Sequence, residues 1–180
     1  MILVDSHPRQ QWLRQAVEKR LREELAKLQV EVNEEKSRKV DLEPGESFGF
    51  LGFEFRRVRN RRGRGMPLLL PKGKKRKALL GKLKEIFRSS RSQPVGGVIE
   101  KINPILRGWV QSFAIGHASR CFSYIRDWVE KKIRRHLARA CQRRGFGWKR
   151  WGREWLYKTI GLFSEYRVSY RPSNSAVAPV

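Results

Sequence analysis

Cysteine is nearly absent from this chain: Cys121 and Cys141 are the only two in 180 residues. If both lie on one helix, a separation of about 20 residues puts them roughly 30 Å apart, far beyond the reach of a disulfide. Histidine is almost as scarce, at three residues, so a zinc site lacks its clustered ligands. Two packed or idle thiols in a reducing, cytoplasmic compartment are expected. No apolar run approaches the roughly 20 residues that a membrane span needs, and Met1-Ile-Leu-Val has neither the basic start nor the apolar length of a secretory signal. Acid is short too: 17 Asp+Glu stand against 41 Lys+Arg, for a net charge of +24. Such self-repulsion persists where a polyanion neutralises it. Nucleic acid is the first candidate partner, and an anionic membrane surface the second.

What is present argues for folded protein. The chain is 39% hydrophobic, with six Trp and nine Phe, which is too apolar for a disordered basic tail. The charge is uneven. Residues 1–42 carry 9 basic and 8 acidic side chains, whereas residues 43–180 carry 32 and 9. The first stretch reads as an ordinary globular piece and the rest as a surface for phosphate.

Periodicity sets the expected order of elements. Ile2-Leu3-Val4 reads as a short strand. Leu13, Val17, Leu21, Leu25 and Leu28 form the buried stripe of a helix over 9–28. Val30 and Val32 suggest a brief extended piece, and Val40 ends another. Glu43-Pro-Gly-Glu is a turn. Residues 48–58 read as a β-rich stretch whose glycines mark bulges or a close approach by another backbone, Gly63 to Gly65 as a flexible tip, and Met66 to Leu70 as the partner strand. From Lys74 the period becomes helical. One helix runs through Leu79, Leu83 and Phe87 and is broken by Ser89 to Pro94. A second covers Val95 to Ile102, and Asn103-Pro104 reads as a cap that restarts a helix through Trp109 and Phe113. A long helix then turns Phe122, Ile125, Val129, Ile133, Leu137 and Ala140 inward. Its outer faces carry Arg126, Lys131, Lys132, Arg134, Arg135, Arg139 and Arg143. Trp148, Trp151 and Trp155 begin a short aromatic helical segment.

Two stretches carry a family resemblance. "LQVEVNEEKSRKVDLEPGESFGFLGFEFRRV" resembles the last two palm blocks of group II intron-encoded reverse transcriptases. "VIEKINPILRGWVQSFAIGHASRCFSYIRDWVEKKIRRHL" resembles the maturase-specific thumb, or X domain, of the same proteins, and "GWKRWGREWLY" with "IGLFSEYRV" looks like that domain's ending. The resemblance spans roughly residues 1–170, and Ile-Asn-Pro-Ile-Leu-Arg-Gly-Trp is its most specific string. It implies an α+β fold: a palm remnant with a small β-hairpin over 1–72, a predominantly α-helical thumb bundle over 73–170, and a disordered tail over 171–180.

The resemblance also implies roles. Phe50, Leu51, Gly52 and Phe53 match the primer grip, where a glycine lets a nucleic acid backbone come close. The four Phe side chains of 48–55 are expected to serve as core anchors. Lys36 matches a palm lysine near the incoming nucleotide's phosphates, although a solvated lysine is the stronger reading here. Polymerisation needs carboxylate-held metal ions, and the family's Asp-Asp turn falls before Ile2. The chain is therefore expected not to polymerise alone and to bind no cofactor, with magnesium only if a separate chain completes the palm. Nothing after Tyr170 resembles the family's endonuclease, so no DNA cleavage is expected.

The residues themselves nominate an RNA surface. Residues 56–77 hold 11 Lys+Arg and no acid: Arg56, Arg57, Arg59, Arg61, Arg62, Arg64, Lys72, Lys74, Lys75, Arg76 and Lys77. Such density gives affinity for phosphate with little sequence information. Arg107, Arg126, Lys131, Arg134, Arg135 and Arg139 extend the surface. Trp148, beside Lys149 and Arg150, is the tryptophan expected to be exposed, and stacking on unpaired bases is one use of such a residue. The expected function is to bind and stabilise structured group II intron RNA and so assist splicing. Two alternatives stand beside it: part of a split reverse transcriptase completed by a separate chain, and a non-functional remnant of a mobile element.

Overall fold

The computed structural model describes residues 2, 11–35, 37, 39, 40, 42 and 46–169. Lys36, the strand expected at Ile2-Leu3-Val4, most of the Glu43-Pro-Gly-Glu turn and the tail over 171–180 lie largely or wholly outside them. The chain forms two compact units, Met1–Asp41 and Leu42–Val180.

The first unit contains helix α1, Gln11–Lys27. Its expected stripe is only partly covered. Leu13, Val17 and Leu25 are half-buried, while Leu21 and Leu28 are exposed. Its charges largely satisfy one another: Arg20 pairs with Glu24 at 2.7 Å, and Arg22 with both Glu18 and Glu34. Val30, Val32 and Val40 lie in irregular backbone and not in strands, because no partner strand in the described residues takes up their hydrogen bonds.

The second unit opens with a three-stranded antiparallel sheet, β1 (Ser47–Phe50), β2 (Phe53–Arg59) and β3 (Gly65–Pro71), in that order. The β-rich stretch over 48–58 contains a tight hairpin, with Phe50 opposite Phe53. A two-residue turn with both φ positive suits the twist of a hairpin, and Leu51 (φ 46°) with Gly52 (φ 86°) provides it. Gly52 makes a turn, not a bulge. The phenylalanines divide accordingly. Phe53 meets core residue Phe113 edge-on at 5.0 Å, while Phe48 and Phe55 stack across the strands at 4.9 Å. Phe50 is exposed, so only Phe53 anchors the sheet to the helical core.

The outer edge of β3 is closed by its own residues. Pro67, Leu69 and Pro71 alternate along it, and the prolines have no N–H to offer. Leu69 N–H donates to His117 Nδ1 at 3.2 Å, and His117 N–H donates to the Leu69 carbonyl at 2.8 Å. Accepting at Nδ1 places the His117 proton on Nε2.

Three helices follow: α2 (Gly73–Ser89), α3 (Val95–Ser112) and α4 (Ser119–Ala140). Leu79, Leu83 and Phe87 of α2 meet Val98, Ile102, Leu106 and Val110 of α3 and Phe122, Ile125, Val129 and Ile133 of α4. These spacings of three and four put each set on one face, and each fully buried aliphatic side chain contributes roughly 1.5–3 kcal/mol. α3 is continuous through Pro104. The carbonyl that Pro104 orphans belongs to Glu100, and both residues are exposed, on the side of the helix that solvent reaches. Asn103 is therefore not a cap. Its Nδ2 donates to the Gly161 carbonyl at 2.8 Å, and its Oδ1 accepts from Phe163 N–H at 2.9 Å. That clasp holds an irregular closing segment whose Leu162 and Phe163 are buried in the core, after a π-helical turn at Trp155–Thr159.

Candidate nucleic-acid interface

The β2–β3 ribbon presents Arg56, Arg57, Arg59, Arg61, Arg62 and Arg64, all exposed. None forms an ion pair with an acid of the described residues. The expected flexible tip is instead a hydrogen-bonded loop. Asn60 Oδ1 accepts from the N–H groups of Arg62 and Arg64, each at 2.9 Å, and Asn60 N–H donates to the Arg64 carbonyl at 2.8 Å. One asparagine thus fixes the backbone from which three arginines project.

The fold brings the grip-like turn and the lysine run together. Lys72 N–H donates to the Gly52 carbonyl at 2.9 Å, and the aliphatic end of Lys75 lies beside Gly52. The Lys72 chain passes so close over Gly49 that any side chain there would displace it. Leu51, 80% exposed, therefore stands at the hairpin tip with two lysines behind it. Lys74, Lys75 and Lys77 are exposed at the start of α2, where the helix dipole adds to their positive potential. Arg76 turns inward instead, with its guanidinium 5.2 Å from the Tyr124 ring centroid and against the Cys121 thiol. Burial pushes that thiol's pKa up, so Cys121 is no ready nucleophile.

On α4 the outward set divides. Lys131, Arg135 and Arg139 are exposed, as is Arg107 on α3. Arg134 does not face outward: it is 1% exposed. Its Nη1 donates to Glu130 Oε2 at 3.1 Å and its Nε to the Trp151 carbonyl at 2.9 Å. A buried guanidinium needs such partners, and Glu130 sits one turn away on the same face. Glu130 also accepts from Tyr157 OH at 2.6 Å and from Arg153 Nε at 3.1 Å. Burial pushes the Glu130 carboxyl up, but the hydrogen bonds from Tyr157, Arg153 and Arg134 outweigh it and hold the pKa below the ordinary value. Burial and the Glu130 bond raise the Tyr157 phenol far above its usual range. Arg126 is half-buried, 3.8 Å from Asp127. Ala140, expected inward, is exposed at the helix end, and Ala138 and His136 are buried in its place.

The structure adds cations that sequence spacing alone leaves unmarked. Burial lowers the pKa of Lys132, and the charges of Arg135, Lys84 and Arg139 lower it further, so α2 and α4 share one crowded positive face. Beyond it, Arg88 and Arg91 join Arg139 and Arg143 around an open cleft of about 760 Å³ with no acid in its lining. Helical periodicity places Lys84 and Arg88 on one face of α2; only the packing against α4 makes them part of a common surface. Among the described residues, no group of three or more His, Cys, Asp or Glu side chains could hold a metal ion. No helix there is long and apolar enough to cross a membrane.

An arginine ribbon with no acid from Arg56 to Pro71, joined to a bundle whose polar faces are again cationic, is a surface suited to polyanions. Residues 76–157 match the family described as group II intron, maturase-specific domain, so the chain carries that domain, over α2, α3, α4 and most of the π-helical turn. No curated protein matches the chain.

Proposed function

We propose that this chain binds folded group II intron RNA and stabilises its splicing-competent conformation, leaving the chemistry to the RNA. The observation that carries the reading is the position of the unpaired cations: the ribbon leads directly into the maturase-specific domain, whose exposed faces continue the same charge. The ribbon and the start of α2 supply affinity through phosphate contacts. Lys131, Arg135 and Arg139, spaced by α4, supply a rigid pattern that can match one folded RNA surface. The hairpin tip at Leu51 and Gly52 lies beside Lys72 and Lys75 and supports a further contact to a nucleic acid backbone.

Salt dependence tests this directly. With about five or more phosphate contacts, the logarithm of the RNA association constant should fall against the logarithm of salt concentration with a slope of about −4 or steeper. A slope shallower than about −2 would remove the basic surface as the binding site.

A further inference from the structure

Past the end of α4 the chain makes three left-handed steps, at Gln142, Gly145 and Gly147. They fold residues 141–150 into a loop that carries Phe146 and Trp148 back against the helix. The Trp148 ring lies over the Arg134 guanidinium, 4.3 Å from it, and Arg135 lies 5.1 Å from the Phe146 ring centroid. Trp148 is nevertheless 52% exposed. One face of the indole is therefore backed by a buried cation that Glu130 and the Trp151 carbonyl hold in place. The Phe146 ring lies 5.9 Å away, tilted by 40°, and about half of Trp148 is still open to solvent. The loop itself is braced. Trp151 N–H donates to the Gly147 carbonyl at 2.8 Å, and the Trp151 ring fills the space that a side chain at Gly147 would need. Arg143, Arg144, Lys149 and Arg150 surround the exposed ring in sequence, all exposed and with no acid between 131 and 152.

An exposed tryptophan held from beneath and flanked in sequence by exposed cations is suited to a base whose own neighbours do not stack on it. We infer that Trp148 is a stacking seat for an unpaired nucleotide of the bound RNA, with Arg134 as the positioning residue beneath it. The cleft of Arg88, Arg91, Arg139 and Arg143 lies at the same end of α4 and is suited to the adjoining phosphates. This rests on the RNA-binding reading above and adds a local specificity to it: single-stranded over paired RNA. A duplex offers phosphates but buries its base faces in its own stack.

The test uses the full chain, a single-stranded RNA oligonucleotide of about 12 nucleotides carrying 2-aminopurine, and the same sequence fully paired. Trp148→Ala and Trp148→Leu should each weaken single-strand binding about tenfold and duplex binding less than twofold, roughly, since phosphate contacts are untouched. Trp148→Phe keeps a π face and should stay near the parent. Quenching of the 2-aminopurine on binding should survive Trp148→Phe and be lost in Trp148→Leu, which keeps apolar bulk over Arg134. Arg134→Lys, checked for folding by circular dichroism, should reduce the quenching while leaving duplex affinity in place. Equal losses on both RNAs, or unchanged single-strand binding in both the Ala and Leu variants, would overturn the seat. A parent chain that binds neither RNA would instead defeat the RNA-binding reading itself.

Discussion

Arg57 lies on β2, paired with no acid of the described residues, and its guanidinium folds over the bare Gly65 across the ladder. Arg134 lies inside the helical unit, bonded to a carboxylate and a carbonyl and covered by an indole. Both are arginines in cation-rich stretches, yet the first is an unneutralised surface charge and the second is part of the architecture. In the ribbon, like charges about 7 Å apart in water repel by roughly 0.6 kcal/mol, less in salt. A sheet tolerates that cost, and a bound phosphate reverses it. In the bundle, a lone guanidinium would cost several kcal/mol to bury, so its acid must come with it. The lesson is that a count of basic residues overstates the binding surface wherever an acid is spaced to meet one of them.

The sharpest way to break the comparison is to remove the acid. Glu130→Ala leaves Arg134 buried without its carboxylate and should cost about 3–5 kcal/mol in urea unfolding. A loss under about 1 kcal/mol would mean that the network is not structural. The same group predicts a pH signature. Its folded pKa is below the ordinary 4.5, so its contribution is full above about that pH and is lost as pH falls through the folded value. Glu130→Gln should therefore flatten the acid limb of the stability profile.

Next in size is the clasp on the closing segment. Asn103→Ala removes both its bonds and should cost about 1–3 kcal/mol, with faster hydrogen exchange confined to residues 160–169. The binding side of the comparison comes third. Each arginine-to-glutamine change among Arg56, Arg57, Arg59, Arg61, Arg62 and Arg64 should lower the salt slope by about 0.7–0.9 if that residue meets a phosphate, and should weaken cognate and random RNA alike. Replacing Lys131, Arg135 and Arg139 should instead reduce cognate binding more. Equal losses there would show that α4 supplies charge and nothing more. The smallest effect belongs to Leu51→Gly. It relieves a left-handed leucine and should raise stability by up to about 1–2 kcal/mol, offset by glycine's larger entropy loss on folding, while weakening RNA binding only if the hairpin tip touches the ligand.

Much of this was legible beforehand because it rests on local rules. The α2 and α4 stripes, the break between Ser89 and Pro94 and the return strand at 66–70 follow from periodicity and turn chemistry. The errors have a common source in tertiary partners. Asn103-Pro104 has the local form of a cap, but the closing segment claims the asparagine and the proline lies on the exposed side of a continuous helix. Four phenylalanines in eight residues suggest four core anchors, yet a left-handed leucine folds them into a hairpin and leaves only Phe53 packed against the core. Arg134 sits at an i+4 spacing from Glu130 that was visible in the sequence. What was not visible is that Tyr157, Arg153 and the Trp151 carbonyl would converge on the same pair from more than fifteen residues away.

The alternation of Pro67, Leu69 and Pro71 beside His117 has a further consequence for assembly. A sheet recruits new strands through free amide hydrogens along its rim, and over this stretch of β3 two are missing and the third is occupied. Growth past that flank is blocked, whether by a second copy or by a foreign peptide. Among the described strands, a polypeptide that lengthens this sheet is therefore turned away from Pro67 to Pro71 and left the opposite rim, Ser47 to Phe50.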